Sequence, residues 1–257
     1  MVFNQIQLRS KVIPYVMTKL SGAGFSLSAF FTCLLLLSGF DLYKFVEEIS
    51  KWSYWIIFFG YGMVCSVGID LLTSKFTRKK LTLNILLYVM AGYAFFIIQE
   101  LNAITFFAGT VGAICALLYY FGTYASKKTT LFQYVFAIAV PLFFIILMTY
   151  DVTEKIQWTE VRSDSTYTAS FEYFNGKHEI PIRATKGQTI TISIDVTNAN
   201  GGGYGFHVLN EKDNLVGMME EGKMKMKAQN TGVYRIVLTG DDLKGSMKVV
   251  WSIDETN

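Results

Sequence analysis

The sequence predicts a membrane α-helical bundle of five transmembrane helices followed by an all-β antiparallel sandwich domain. Three observations carry that reading. Apolar runs fill residues 25–150, lysine and arginine are spread unevenly among the intervening loops, and from residue 151 the pattern changes to short alternating strands. A chain that is 52% hydrophobic, with mean hydropathy +0.35, agrees with a largely lipid-embedded protein.

A hydrocarbon core of about 30 Å needs about 20 apolar residues in a helix rising about 1.5 Å per residue. Five stretches meet that need, at 25–46, 52–73, 81–98, 103–124 and 132–150. Helix is the open option, because an unpaired backbone group in hydrocarbon costs several kcal/mol. Pro141 predicts a kink in the fifth stretch. Ahead of them, residues 1–24 form a basic segment with Ile13, Val16, Met17 and Leu20 at helical spacing. That spacing predicts a short helix lying on the inner leaflet, with Pro14 in its first turn and Ser21-Gly22-Ala23-Gly24 ending it.

Loop charge sets the expected orientation. Arg9, Lys11, Lys19, Lys75, Arg78, Lys79, Lys80, Lys127 and Lys128 fall on one side of the five spans, and only Lys44 and Lys51 on the other. Lys and Arg favour the cytoplasmic side, so a cytoplasmic N-terminus and an extracytoplasmic domain at 151–257 are expected. Trp52, Tyr54 and Trp55 at one interface and Tyr119, Tyr120 and Tyr124 at the other read as aromatic anchors. Residues 1–150 hold 11 basic and 5 acidic residues, a net +6, against 12 and 15, a net −3, in 151–257. The positive excess is loop charge facing anionic lipid, which argues against a nucleic-acid partner. Cys33, Cys65 and Cys115 all lie in spans, so the outer domain is expected to hold together without disulfides, as suits the plasma membrane of a Gram-positive bacterium. No cleavable signal is expected, since the first apolar run is late and long.

Within the spans, Ala108, Gly112 and Ala116, and again Gly109 and Ala113, share faces at a spacing of four. Such faces let helix backbones approach, either inside the bundle or along a homo-oligomer seam. Gly60, Gly62, Ser66 and Gly68 offer the same in the second span. Charges within or beside the spans are few. Asp41 and Glu100 are expected at the outer interface, whereas Asp70 lies within the second span, and an ionisable group there is a functional candidate by default. Its position near the inner end also suits an ion pair with Lys75 or Arg78.

Beyond Asp151, strands are expected at 166–173, 190–196, 204–209, 215–219, 223–228, 234–238 and 247–251, with Asn175-Gly176 as a hairpin turn. Seven or eight short strands imply an antiparallel sandwich. The closing segment, Thr231-Gly232-Val233-Tyr234-Arg235-Ile236-Val237-Leu238, then Gly240 and Lys244-Gly245-Ser246 before Trp251, resembles the end of GOLD-type (emp24-like) β-sandwich domains. That resemblance implies a non-enzymatic protein- or ligand-binding module.

Catalytic constellations are missing from the pattern. His178 and His207, the only histidines, both fall in the outer domain, and no P-loop, H-E-x-x-H, C-x-x-C or G-x-G-x-x-G occurs. Gly68-Ile69-Asp70 has no second membrane aspartate to complete a dyad. His207 is a second functional candidate, weighed against a structural histidine on a strand. Asp195, Thr197, Asn198 and Asn200 could crowd a calcium ion, but an Asx-rich turn explains them as well. Met218, Met219, Met224 and Met226 fit either an adaptable surface or strand packing. No cofactor, metal or catalytic residue is expected. The leading expectation is a non-enzymatic membrane protein whose outer domain binds an envelope protein or extracellular ligand. The alternatives are a transporter or channel component and, behind it, an intramembrane enzyme.

Overall fold

The structure, a computed structural model, describes residues 2–75, 80–97, 102–217 and 224–254, without the side chains of residues 2–11 and Lys80. The chain divides into two compact units, Met1–Asp151 and Val152–Asn257.

The first unit is helical. We number its helices α1 (Val2–Leu37), α2 (Leu42–Ile49), α3 (Trp52–Thr73), α4 (Lys80–Ile97), α5 (Ala103–Ser126) and α6 (Thr130–Leu147). Four segments, Val12–Leu37, α3, α5 and α6, are long and apolar enough to cross a membrane, and the apolar part of α4, Leu81–Ile97, is shorter. The chain is therefore a membrane protein by the length and composition of these helices.

The first span differs from the expected 25–46. Instead of a short helix that ends at Ser21–Gly24, α1 runs through to Leu37 with Pro14 inside it. Gly22 and Gly24 are contact points rather than breaks: Gly22 faces the Tyr119 carbonyl and Thr123 of α5, and Gly24 faces the Phe136 carbonyl of α6. The helix stops at a Gly39-Phe40 turn in which both residues have φ near +66°. Asp41 then caps α2, its side chain accepting from the Lys44 N–H at 3.1 Å. Phe45, Val46 and Ile49 are buried on α2, and Phe45 and Ile49 join Leu27, Phe31, Trp55, Phe58 and Phe144 in one apolar cluster.

Two helices carry π-helical segments, Ile56–Tyr61 in α3 and Val135–Ala139 in α6. The second lies directly before Pro141 and has a traceable cause. Val140 gives its N–H to Val135, and Pro141 has none to give, so the Phe136 carbonyl lacks a donor further along its own helix. Gly24 lets α1 come up against that oxygen.

The two predicted aromatic belts are also redrawn. Trp52 and Tyr124 are exposed, but Trp55 is buried and donates from Nε1 to the Ile49 carbonyl at 3.0 Å. Tyr119 is buried too, with its hydroxyl on the Lys19 carbonyl at 2.9 Å. The hydroxyl needs an acceptor in an apolar interior, and an α1 carbonyl supplies it.

The second unit is an antiparallel sheet of seven strands among the described residues: β1 (Glu154–Ile156), β2 (Thr159–Arg162), β3 (Thr166–Ala184), β4 (Thr189–Asn198), β5 (Gly203–Leu209), β6 (Lys225–Lys227) and β7 (Gly232–Asp254). Two strands are much longer than expected, because each bends and changes neighbours. The first part of β3, Thr166–Phe171, pairs with Val250–Gly245, and its last part, Gly176–Ala184, pairs with Gly240–Gly232. Strand β4 lies on the end of β7 and β5 on its beginning, while β1 and β2 line β3 and β6 lines β4.

Asn175-Gly176 is accordingly a bulge within β3 and not a hairpin turn, with Gly176 at φ +137°. Continuing the strand buries Ile180 and Ile182 in the same core as Tyr167 and Phe171, which a turn would forfeit. The anticipated strand at 215–219 reduces to one bridge between Leu209 and Leu215, and residues 218–219 lie outside the described residues. Met226 is fully buried and Met224 packs against the core, so both serve packing.

Candidate functional site

Four helices each bring a polar pair spaced four residues apart, hence on one face, to the same region of the helical unit. These pairs are Tyr15/Lys19 on α1, Ser66/Asp70 on α3, Asn84/Tyr88 on α4 and Thr123/Lys127 at the end of α5. Lys19 is the centre. Its Nζ is 2.7 Å from Asp70 Oδ2 and donates to Ser66 Oγ at 2.7 Å. Ser66 Oγ shares a 2.5 Å hydrogen bond with Tyr88 Oη, and Tyr15 donates to Asp70 Oδ2 at 3.0 Å. Lys19 is only 1% exposed, whereas the Asp70 side chain is 32% exposed.

The geometry follows from burial. A lysine seven residues inside the Val12–Leu37 span, roughly 10 Å from its start, needs a counter-charge and acceptors for its protons. Asp70 and Ser66 provide them one turn apart. Lys19 is therefore a buried partner and not one of the loop charges. Its partner role was foreshadowed by Asp70, for which Lys75 or Arg78 was expected, and Arg78 lies outside the described residues.

Asp70 opens onto a cavity of about 520 Å³ lined also by Ser74, Asn84, Tyr88, Thr123 and Lys127. Asn84 and Thr123 are more than nine-tenths buried, and Asn84 Oδ1 and Thr123 Oγ1 have no hydrogen-bond partner among the described residues. A second cavity of about 180 Å³ is apolar, bounded by Phe30, Ile57, Phe58, Cys65 and Phe96. Tyr88 lines both.

The small-residue faces pack inside the chain. A Cβ on Gly92 would sit 2.6 Å from the Ala113 backbone, and one on Gly112 would sit 2.6 Å from the Gly92 carbonyl. Gly109 faces the Tyr93 ring. Ala108 is half-buried, and Ala116 lines the apolar cavity. In the second span, Gly62 meets the Tyr119 ring at 3.1 Å, while nothing faces Gly68.

In the β unit, His207 pairs in register with Val237 and is half-buried, with no polar partner among the described residues. The other histidine is the better connected. Lys155 Nζ lies 2.8 Å from His178 Nδ1, and a lysine can only donate, so the imidazole proton sits on Nε2. Trp158 stacks on Phe171 at 5.1 Å and donates to Glu160 Oε2 at 2.7 Å, which also accepts from Tyr167 at 2.6 Å. The Tyr167 and Trp158 hydrogen bonds hold the Glu160 carboxyl below the usual range. Burial, then Lys155, pulls the His178 imidazole down. This cluster was not anticipated, because its members come from β1, the β1–β2 link, β2 and β3, and only the register brings them together.

The polar residues around 195–200 form a turn. Asn198 Oδ1 accepts from the Asn200 and Gly201 N–H groups at 3.2 and 2.8 Å, and Asn198 Nδ2 donates to the Gly202 carbonyl. Neither a protein-family model nor a curated protein matches the chain.

Proposed function

We propose that the chain is a multi-pass plasma-membrane protein whose five membrane-crossing helices, α4 included, hold an extracytoplasmic β-sandwich that binds an envelope protein or extracellular ligand without catalysing a reaction. The observation that carries this reading is the self-sufficiency of the β unit. Its core is a single cluster of Tyr167, Ile180, Ile192, Ile236, Met247 and other residues drawn only from residues 152–257. The bend in β3 and β7, which lets both halves cover one core, supports the sandwich, and with it the GOLD-type resemblance of the closing segment. Strand β2 is exposed throughout and, among the described residues, pairs only with β3, with Val161 70% exposed, so a partner strand has an edge to join.

The test uses the full chain in its native membrane. A cysteine replacing exposed Thr159, in a background without Cys33, Cys65 and Cys115, should react with a membrane-impermeant maleimide on intact cells. A photo-crosslinker at Val161 should then capture a discrete partner that one at Asp195 does not. Labelling only after lysis would refute the orientation.

A second reading, a transporter or channel component, draws on the Lys19–Asp70 pair, since ionisable groups in spans often mark substrate or proton paths. It requires that Asp70→Asn abolish flux in vesicles while expression is unchanged.

A further inference from the structure

The polar and apolar cavities of the helical unit sit in sequence along α4, from Asn84 through the shared Tyr88 to Phe96. From Tyr88 to Phe96 the helix rises roughly 12 Å, a length over which a hydrocarbon chain would be walled by Phe30, Ile57, Phe58 and Phe96. The polar end differs in charge from a simple ion path. Lys19 neutralises Asp70, and Lys127 forms no ion pair among the described residues, so the uncompensated charge at the cavity is positive. Lys128 stands beside it, over the Tyr124 ring at 4.5 Å. Ser74, Asn84 and Thr123 add hydrogen-bonding groups to the same cavity as Lys127, and Asn84 Oδ1 and Thr123 Oγ1 have no partner among the described residues. A buried polar atom without a partner is costly, and a ligand that supplies one is favoured.

We propose that these two cavities form one binding site for an anionic phospholipid drawn from the surrounding bilayer. Its phosphate lies at Lys127, its headgroup hydroxyls reach Asn84 and Ser74, its glycerol sits at the level of Tyr88, and an acyl chain enters the apolar cavity. The charge selects an anionic over a zwitterionic lipid, and the apolar half requires the chain as well as the headgroup.

Native mass spectrometry of the full chain in detergent, with phosphatidylglycerol or phosphatidylcholine added, tests the site. The expected result is one phosphatidylglycerol per chain, retained roughly ten-fold better than phosphatidylcholine. Lys127→Glu should abolish that preference while Lys51→Glu, at the opposite end of α3 from Asp70, keeps it, and Cys65→Trp, which fills the apolar cavity, should remove the adduct. Lys127 is exposed at a helix end, so its variant reports on binding even where the Cys65 variant fails to fold. Equal adducts in wild type and Lys127→Glu would overturn the proposal. So would displacement of the lipid by glycerol phosphate alone, which would make this a soluble-phosphate site.

Discussion

Lys19 Nζ and Asp70 Oδ2 stand 2.7 Å apart, joining α1 to α3 between groups 51 positions distant in sequence. The lysine is buried and the aspartate half-exposed, so the two members of the pair are not equivalent. Removing the carboxylate strands a charge in an apolar interior. Removing the lysine leaves a carboxylate that still has Tyr15 and the open cavity.

That asymmetry makes the first prediction. Asp70→Asn should destabilise the helical unit by about 3 kcal/mol, Lys19→Met should cost less, and Lys19→Met/Asp70→Leu should recover most of the loss. Thermal unfolding in detergent checks this. A double variant as unstable as the sum of the singles would mean that the pair is not coupled.

Gly24 should tolerate no side chain. A Cβ there meets the Phe136 carbonyl, whose position follows from the π-helical segment before Pro141. Gly24→Val should therefore part α1 from α6 and lower the melting temperature in detergent. Gly68→Val, at a position with nothing facing it, should be close to neutral.

Gly245 plays the corresponding role in the sheet. Its φ is +135°, and a Cβ would run into the Thr197 carbonyl of β4. Gly245→Ala should cost the β unit about 3 kcal/mol, from backbone strain and lost β4–β7 pairing, read as a lower urea midpoint by near-UV circular dichroism.

Acid should weaken the β unit in two steps. His178 is held below its ordinary value by burial and by Lys155, so the unfolded chain takes up a proton before the folded one does. Stability is then fully present at neutral pH and falls as pH drops below about 6.5 toward the folded value. Glu160, held low by Tyr167 and Trp158, adds a second loss as pH falls from about 4.3 toward its own folded value. Comparing urea midpoints at neutral pH and near pH 5.5 checks the first step, which His178→Gln should remove.

The sequence by itself determined the division of the chain and the character of each part. Long apolar runs admit only helix in lipid, and alternation at Ile190, Ile192 and Ile194 admits only a half-buried strand. It did not decide where α1 ends or what its glycines do. A local Ser-Gly-Ala-Gly signal looks like a break until α5 and α6 press against it. Nor did it decide that Lys19 belongs with Asp70. The four-residue spacing of each polar pair was present in the chain, but which faces meet depends on how four helices pack. The same holds for β3 and β7. Asn175-Gly176 is a turn in isolation, and becomes a bulge only because the strand beyond it finds β7 and buries Ile180 and Ile182. Local propensity is worth about 1 kcal/mol per residue, and burying two such side chains is worth several times that, so tertiary packing prevails.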